Sequence, residues 1–97
     1  MPSDRFANVW DAIEDTHQNA ENMRLRLQLM MAITRHIEIN ALRQADAAKI
    51  FGISQPRVSD LVRGKIALFS LDALVNMLSA AGIPIKLSVA QAHREMA

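Results

Sequence analysis

The chain has no cysteine, and only four of its 97 residues are aromatic, one Trp and three Phe. The first absence excludes a disulfide framework and a thiolate zinc site. The second, in a chain that is 51% hydrophobic, predicts a core of aliphatic side chains carried on helices. No apolar run approaches the roughly 18 residues that mark a membrane span. The opening MPSDRFANVW carries charge early and lacks the apolar stretch of a secretory leader, so a cytoplasmic protein with no membrane contact is expected. No glycine-rich phosphate loop is present. His17, His36 and His93 stand apart from one another, with no carboxylate spacing that would build a metal site, and read as surface residues. Glu14 and Asp15 read as first-turn helix charges, not as an acid–base pair. No catalytic residue, metal or cofactor is expected, and the chain is not expected to be an enzyme.

A length of 97 residues suits one domain able to build a core. The division expected is an N-terminal segment, 1–15, partly ordered, and a single domain over 16–97. The net charge is only +1, but it is unevenly placed. Residues 1–22 carry Arg5 against Asp4, Asp11, Glu14, Asp15 and Glu21, a balance of −4. Residues 42–66 carry Arg43, Lys49, Arg57, Arg63 and Lys65 against Asp46 and Asp60, a balance of +3. A locally basic segment is a footprint for phosphates, from which the acidic end would be repelled.

That basic segment holds the strongest pattern in the chain, Gln44 to Lys65, QADAAKIFGISQPRVSDLVRGK. It predicts a helix over Gln44 to Phe51, a turn at Gly52-Ile53-Ser54, and a second helix from Gln55 to Val62 that stops at Gly64. Two helices crossing steeply need a small residue at their approach, which Ala48 supplies, and a residue that accepts a left-handed turn, which Gly52 supplies. Ile50, Val58 and Leu61 are expected inside, with Ala47 or Phe51 at the edge. Gln55, Arg57, Ser59 and Arg63 are left on the outer face. This is a helix-turn-helix whose second helix opens with side chains able to read base edges in the major groove of double-stranded DNA.

Around the motif, Thr16 to about Ile39 reads as one long helix with Asp15 or Thr16 as its N-cap. Leu25, Leu29, Ile33 and Ile37 form the expected core stripe. Met23, Leu27 and Met31 form a second apolar stripe nearly opposite. Two readings stand for it: the N-terminal segment folds back and covers it with Phe6 and Trp10, or it is a partner surface, for which flexible Met is well suited. Asn40 and Ala41 should end this helix, and Lys65 to Leu68 should form a loop. Phe69 is the expected staple, and Ser70 the cap, of a helix from Leu71 to Ala81 that packs Leu71, Leu74, Val75 and Leu78 inward. Gly82 and Pro84 end it.

Residues 83–89, IPIKLSV, alternate Ile83, Ile85, Leu87 and Val89 with Pro84, Lys86 and Ser88, the period of a strand. A lone strand leaves its ladder groups unpaired. The expected partner is the same strand of a second subunit across a two-fold axis; the alternative is an extended segment around Phe6 to Trp10. The architecture expected is therefore all-α, with about five helices and one C-terminal β-strand pairing across a homodimer. Such a dimer would place two recognition helices about 34 Å apart on a roughly palindromic operator.

The phrases QADAAKIFGISQPRVSDLVRGK and FSLDALVNMLSAAG resemble the XRE-type, lambda-repressor-like family, and within it the HigA-type antitoxins and their relatives, over roughly Met23 to Ala90. The resemblance implies that Gln44 contacts or braces a backbone phosphate and that Ser54, Gln55, Arg57 and Ser59 lie at the bases. The family's usual Thr or Ser before the opening glutamine is Arg43 here; the cap hydrogen bond is lost, at about 1 kcal/mol, and Arg43 is a candidate phosphate contact instead. Ser54 has the plainer role of a helix cap. Gln55, at the first helical position, suits adenine, and Arg57 suits guanine O6 and N7 or, in the plainer reading, a phosphate. Ser59 touches a base or nothing. Arg63 and Lys65, past the far end, suit phosphates, and free N–H groups at both helix starts add anion affinity. The resemblance implies an autorepressing, sequence-specific regulator, nucleoid-associated when on DNA. It leaves open a toxin-neutralising antitoxin with a small toxin protein as partner, or a stand-alone repressor. A structural domain without DNA binding is disfavoured by Gln44, Gln55 and Arg57.

Overall fold

Nothing between Pro2 and Gly52 is a glycine or a proline, and the first helix uses that freedom in full. In the computed structural model, which describes residues 2–90 and their side chains from residue 18 onward, α1 runs unbroken over Pro2–Ile39, 38 residues. Pro2 lies in the first turn, where its missing N–H costs nothing. The helix start expected at Asp15 or Thr16 is therefore not found, because no residue there interrupts the hydrogen-bond ladder. An unbroken helix also cannot fold its own first turns back over Met23, Leu27 and Met31.

The end of α1 falls where the sequence places it. The Asn40 amide donates to His36 O at 3.1 Å and the Leu42 amide to Ile37 O at 3.0 Å. Between them Ala41 sits at φ 50°, the one described non-glycine residue with a left-handed backbone. A side chain there costs energy that glycine avoids. Ala41→Gly is expected to stabilise the domain by about 0.5–1 kcal/mol, after the added unfolded-chain entropy is set against the relieved strain. A denaturant melt with an unchanged or lower midpoint would contradict this.

Three more helices follow: α2 over Gln44–Phe51, α3 over Gln55–Val62 and α4 over Leu71–Ala80, with a 3-10 turn at Ile66–Leu68. The described residues thus form four α-helices and no strand, not the five helices and one strand expected. Each short helix is punctuated by local chemistry. Gly52 ends α2 at φ 70°, and the Ile53 amide returns to Ala48 O at 3.0 Å. A Cβ on Gly52 would come within 3.6 Å of the Ala80 side chain, so space permits a side chain and the backbone conformation forbids it cheaply. Ser54 caps α3, its Oγ accepting from the Arg57 amide, and Ser70 caps α4 by accepting from the Ala73 amide at 3.1 Å. Gly82, at φ 72°, closes α4 with the Ile83 amide on Leu78 O at 2.9 Å.

One core joins these helices. α1 contributes Met30, Ile33 and Ile37, α2 contributes Ala47 and Phe51, and α3 contributes Val58 and Leu61. Phe69 precedes α4, which adds Leu74, Met77 and Leu78. No buried polar or charged residue is found among those described, so cohesion comes from apolar burial, about 1.5–3 kcal/mol for each large side chain. The edge of His36 meets the ring of Phe51 with centroids 5.9 Å apart.

Three packing expectations are revised. Ala47 and Phe51 lie inside while Ile50 is only partly buried, because residues four apart share a helix face and Ile50 falls off that face. Met77 takes the place expected for Val75, which is 41% exposed. Leu25 is exposed and Leu29 half-buried, since the rest of the domain covers α1 only toward its C-terminal end.

The C-terminal strand is also corrected. Residues 83–90 carry no ladder pairing. Ile83 packs partly on the core, while Ile85 (44%), Leu87 (86%) and Val89 (79%) face outward. Alternation alone makes no strand when the chain offers nothing for its N–H and C=O groups to pair with.

Candidate nucleic-acid interface

The recognition helix is oriented by its buried stripe. Val58 and Leu61, 0% and 1% exposed, face the core. At about 100° per residue, the opposite face of α3 carries Pro56, Ser59 and Arg63, flanked by Gln55 and Asp60. Gln55, Pro56 and Arg63 are exposed and Ser59 is half-buried. Gln55 occupies the first helical position, directly after the Ser54 cap. Its amide is offered at a helix start where Pro56 carries no N–H and Ser54 Oγ takes the Arg57 amide, so the Gln55 N–H is the backbone donor left for an anion. Ser54 performs its plainer role, accepting the Arg57 amide at 3.3 Å.

At the start of α2, Arg43 occupies the N-cap position without a side-chain cap bond. Its Nε instead lies 3.4 Å from Asp46 Oδ2, in an exposed pair. Gln44 follows, exposed. Lys65 Nζ lies 3.5 Å from Asp60 Oδ1, half in solvent. Pairs this open to water hold their cations weakly, within about 1 kcal/mol, so Arg43 and Lys65 can both exchange a carboxylate for a phosphate. Arg63 is exposed on the outer face of the same end.

Arg57 is placed differently from the others. It is half-buried on the flank of α3. Its Nη1 donates to Leu68 O at 3.0 Å, and its Cζ lies 4.2 Å from the centroid of the Phe69 ring. The guanidinium therefore ties the recognition helix to the turn that follows it.

A second arginine, not foreseen from the sequence, holds the same turn from the other side. Arg26 of α1 donates through Nη1 to Ile66 O at 3.0 Å and to Phe69 O at 3.3 Å, while its Nε donates to Asn22 Oδ1 at 2.7 Å. Three carbonyls of this turn thus accept from two guanidinium groups: that of Ile66, which also accepts from the Phe69 amide at 3.2 Å, and those of Leu68 and Phe69 at the end of the 3-10 turn, where carbonyls lack helical partners. The signal for Arg26 was its spacing. It shares one face of α1 with Met30, Ile33 and Ile37, and an arginine continuing a buried stripe points to a polar target at its end. One turn before it, Glu21 pairs with Arg24, and this hydrogen bond and the adjacent negative charge raise the Arg24 pKa.

No described helix is long and apolar enough to cross a membrane. Among the described residues no three His, Cys, Asp or Glu side chains cluster as metal ligands.

A family model described as a helix-turn-helix domain matches residues 12–90. A solved structure titled "Putative XRE Family Transcriptional Regulator" is similar to this chain at a TM-score of 0.72 and 33% sequence identity, over 81% of this chain and 89% of that one. No curated protein matches the sequence significantly.

Proposed function

The chain belongs to the XRE-type helix-turn-helix family, and from that premise we propose a sequence-specific regulator of transcription that binds double-stranded DNA through α3 and represses its own promoter. The observation that carries this reading is α3 itself. It is a capped helix with Gln55 at its first position and an exposed polar outer face, set in the most basic stretch of the chain.

In this reading Gln55 pairs with adenine and Ser59 lies within reach of a base edge, with Ser54 beside them at the helix start. Arg43, Gln44, Arg63 and Lys65 hold phosphates and fix the register. Arg57 reaches guanine by exchanging Leu68 O and the Phe69 ring for guanine O6 and N7. Arg57→Ala is then expected to cost about 1–3 kcal/mol of specific binding, confined to one base pair. It should also cost about 1 kcal/mol of folding stability, from the lost charged hydrogen bond and ring contact. Equal losses on operator and random DNA would leave Arg57 as a brace of the turn and no base reader.

Selection of bound duplexes from a randomised pool tests the reading as a whole. A recovered consensus, lost with Gln55→Ala, supports it; recovery of unselected sequences contradicts it. A homodimer on a roughly palindromic site belongs to the same proposal. Within residues 83–89, the exposed Ile85, Leu87 and Val89 are one surface for the two-fold contact. The free face of α1 is another.

A second reading is a toxin-neutralising antitoxin whose DNA binding serves autoregulation. It rests on the resemblance to HigA-type proteins and on the exposure of Met23 (46%), Leu27 (47%) and Met31 (62%). Co-purification of a stoichiometric small partner, lost with Leu27→Glu, would support it over a stand-alone repressor.

A further inference from the structure

Arg57 is the charged member of the proposed base readers, and its guanidinium is already engaged. Nη1 donates to Leu68 O at 3.0 Å, and Cζ lies 4.2 Å from the centroid of the Phe69 ring. Both holding groups are neutral. Arg43 and Lys65 lie beside carboxylates, whereas no ion pair holds Arg57 among the described residues. A carbonyl and a ring face attract a guanidinium without cancelling its charge.

This hold competes with base reading. Guanine takes a guanidinium through O6 and N7, in the plane of the base. Phe69 is 1% exposed and cannot follow Arg57 into a groove, so contact with the ring and bidentate contact with guanine exclude each other.

The turn is built to survive the departure of Arg57. Arg26 keeps hold of Ile66 O and Phe69 O. The Leu68 amide stays on Lys65 O at 3.1 Å and the Phe69 amide on Ile66 O at 3.2 Å. Leu68 lies at the surface, 48% exposed, so its vacated carbonyl can accept from water. Arg57 also borders an open cavity of about 620 Å³ shared with Arg26 and Leu68, which gives its side chain room to swing.

We propose that the Leu68 carbonyl and the Phe69 ring form an autoinhibitory latch on Arg57, and that Phe69 is a positioning residue that sets, through Arg57, how tightly the operator is held. Only molecules with Arg57 released read guanine, so operator affinity is lowered by the fraction released. The proposal rests on the base-reading role of Arg57 given above.

The sign of one effect separates a latch from a brace. Weakening a brace weakens DNA binding; weakening a latch strengthens it. Leucine, unlike alanine, keeps the apolar anchor of the turn while removing the ring face. Folded Phe69→Leu is therefore expected to bind the duplex recovered by selection roughly 2–5-fold tighter than wild type, the share of a ring face in holding a cation, and a scrambled duplex by a smaller factor. The gain should vanish in an Arg57→Ala background. It should vanish too on a duplex carrying 7-deazaguanine, which lacks N7, at the base pair that Arg57 reads. Unchanged or weaker binding of the selected duplex by Phe69→Leu, or a gain that persists without Arg57, would overturn the latch.

Proton NMR of the wild type needs no variant. The Phe69 ring should shift the Arg57 side-chain protons upfield in the protein without DNA, and the shift should be lost on the selected duplex. A shift that is absent without DNA, or that stays on the selected duplex, contradicts the proposal. Where the wild type still prefers the selected duplex, such a result sinks the latch alone; a wild type without that preference sinks the reading and the latch together.

Discussion

Phe69→Ala is expected to remove about 3–5 kcal/mol of stability, through lost apolar transfer and the cavity left behind. Phe69 is 1% exposed and among the largest fully buried side chains. It stands where three elements meet: its ring closes the core ahead of α4, its outer face carries the Arg57 guanidinium, and its carbonyl accepts from Arg26. The total stability of a domain this size is about 5–15 kcal/mol, so the variant should melt roughly 15–30 °C lower. Below its melting point it should bind all DNA sequences less well, because the turn that braces α3 has lost its anchor. A melting point within a few degrees of wild type would contradict the placement of Phe69 in the core.

The second large effect is electrostatic. Replacing Arg43, Arg63 and Lys65 together by alanine removes three proposed phosphate contacts. Each contributes about 0.9 to the slope of log affinity against log salt, so the slope should fall by roughly 2.7 and affinity at 0.1 M salt by roughly 10²–10³-fold. The loss should be alike on operator and random DNA, since phosphates carry no sequence. Stability should change little, because the ion pairs of Arg43 and Lys65 are solvent-exposed. Binding across a salt series checks this, and an unchanged slope would place the phosphates elsewhere.

The helix-turn-helix was legible because its determinants are local. Gly52 and Gly82 adopt the left-handed conformations that the turns require, Ser54 and Ser70 accept the amides that caps must satisfy, and Arg43, without a hydroxyl, makes no cap. Facing residues inside a short helix were less legible. Ala47 and Phe51 could be told from Ile50, and Met77 from Val75, only once the neighbouring helices fixed which face was inward. The strand over residues 83–89 was misread because alternation reports two faces and says nothing about a ladder partner. The extent of α1 was underread because Asp15 and Thr16 resemble a cap, yet a good capping residue does not stop a helix that has no other reason to end. Arg26 is signalled only by its place on the buried stripe of α1, and the carbonyls that it and the turned-in Arg57 reach, some 11 to 43 residues away in sequence, are named by no local pattern. The base contacts of Gln55 and Ser59 remain proposals of the family resemblance and the outward face of α3.

The measurement that bears most directly on the central reading is fluorescence anisotropy of the full chain on the duplex recovered by selection and on its scrambled counterpart, at two salt concentrations, for wild type and Gln55→Ala. The prediction is tighter binding of the selected duplex that persists at the higher salt, with Gln55→Ala losing that preference while keeping its affinity for the scrambled duplex. Equal, salt-labile binding of both duplexes by the wild type, or a preference that Gln55→Ala leaves intact, would contradict sequence reading by the start of α3.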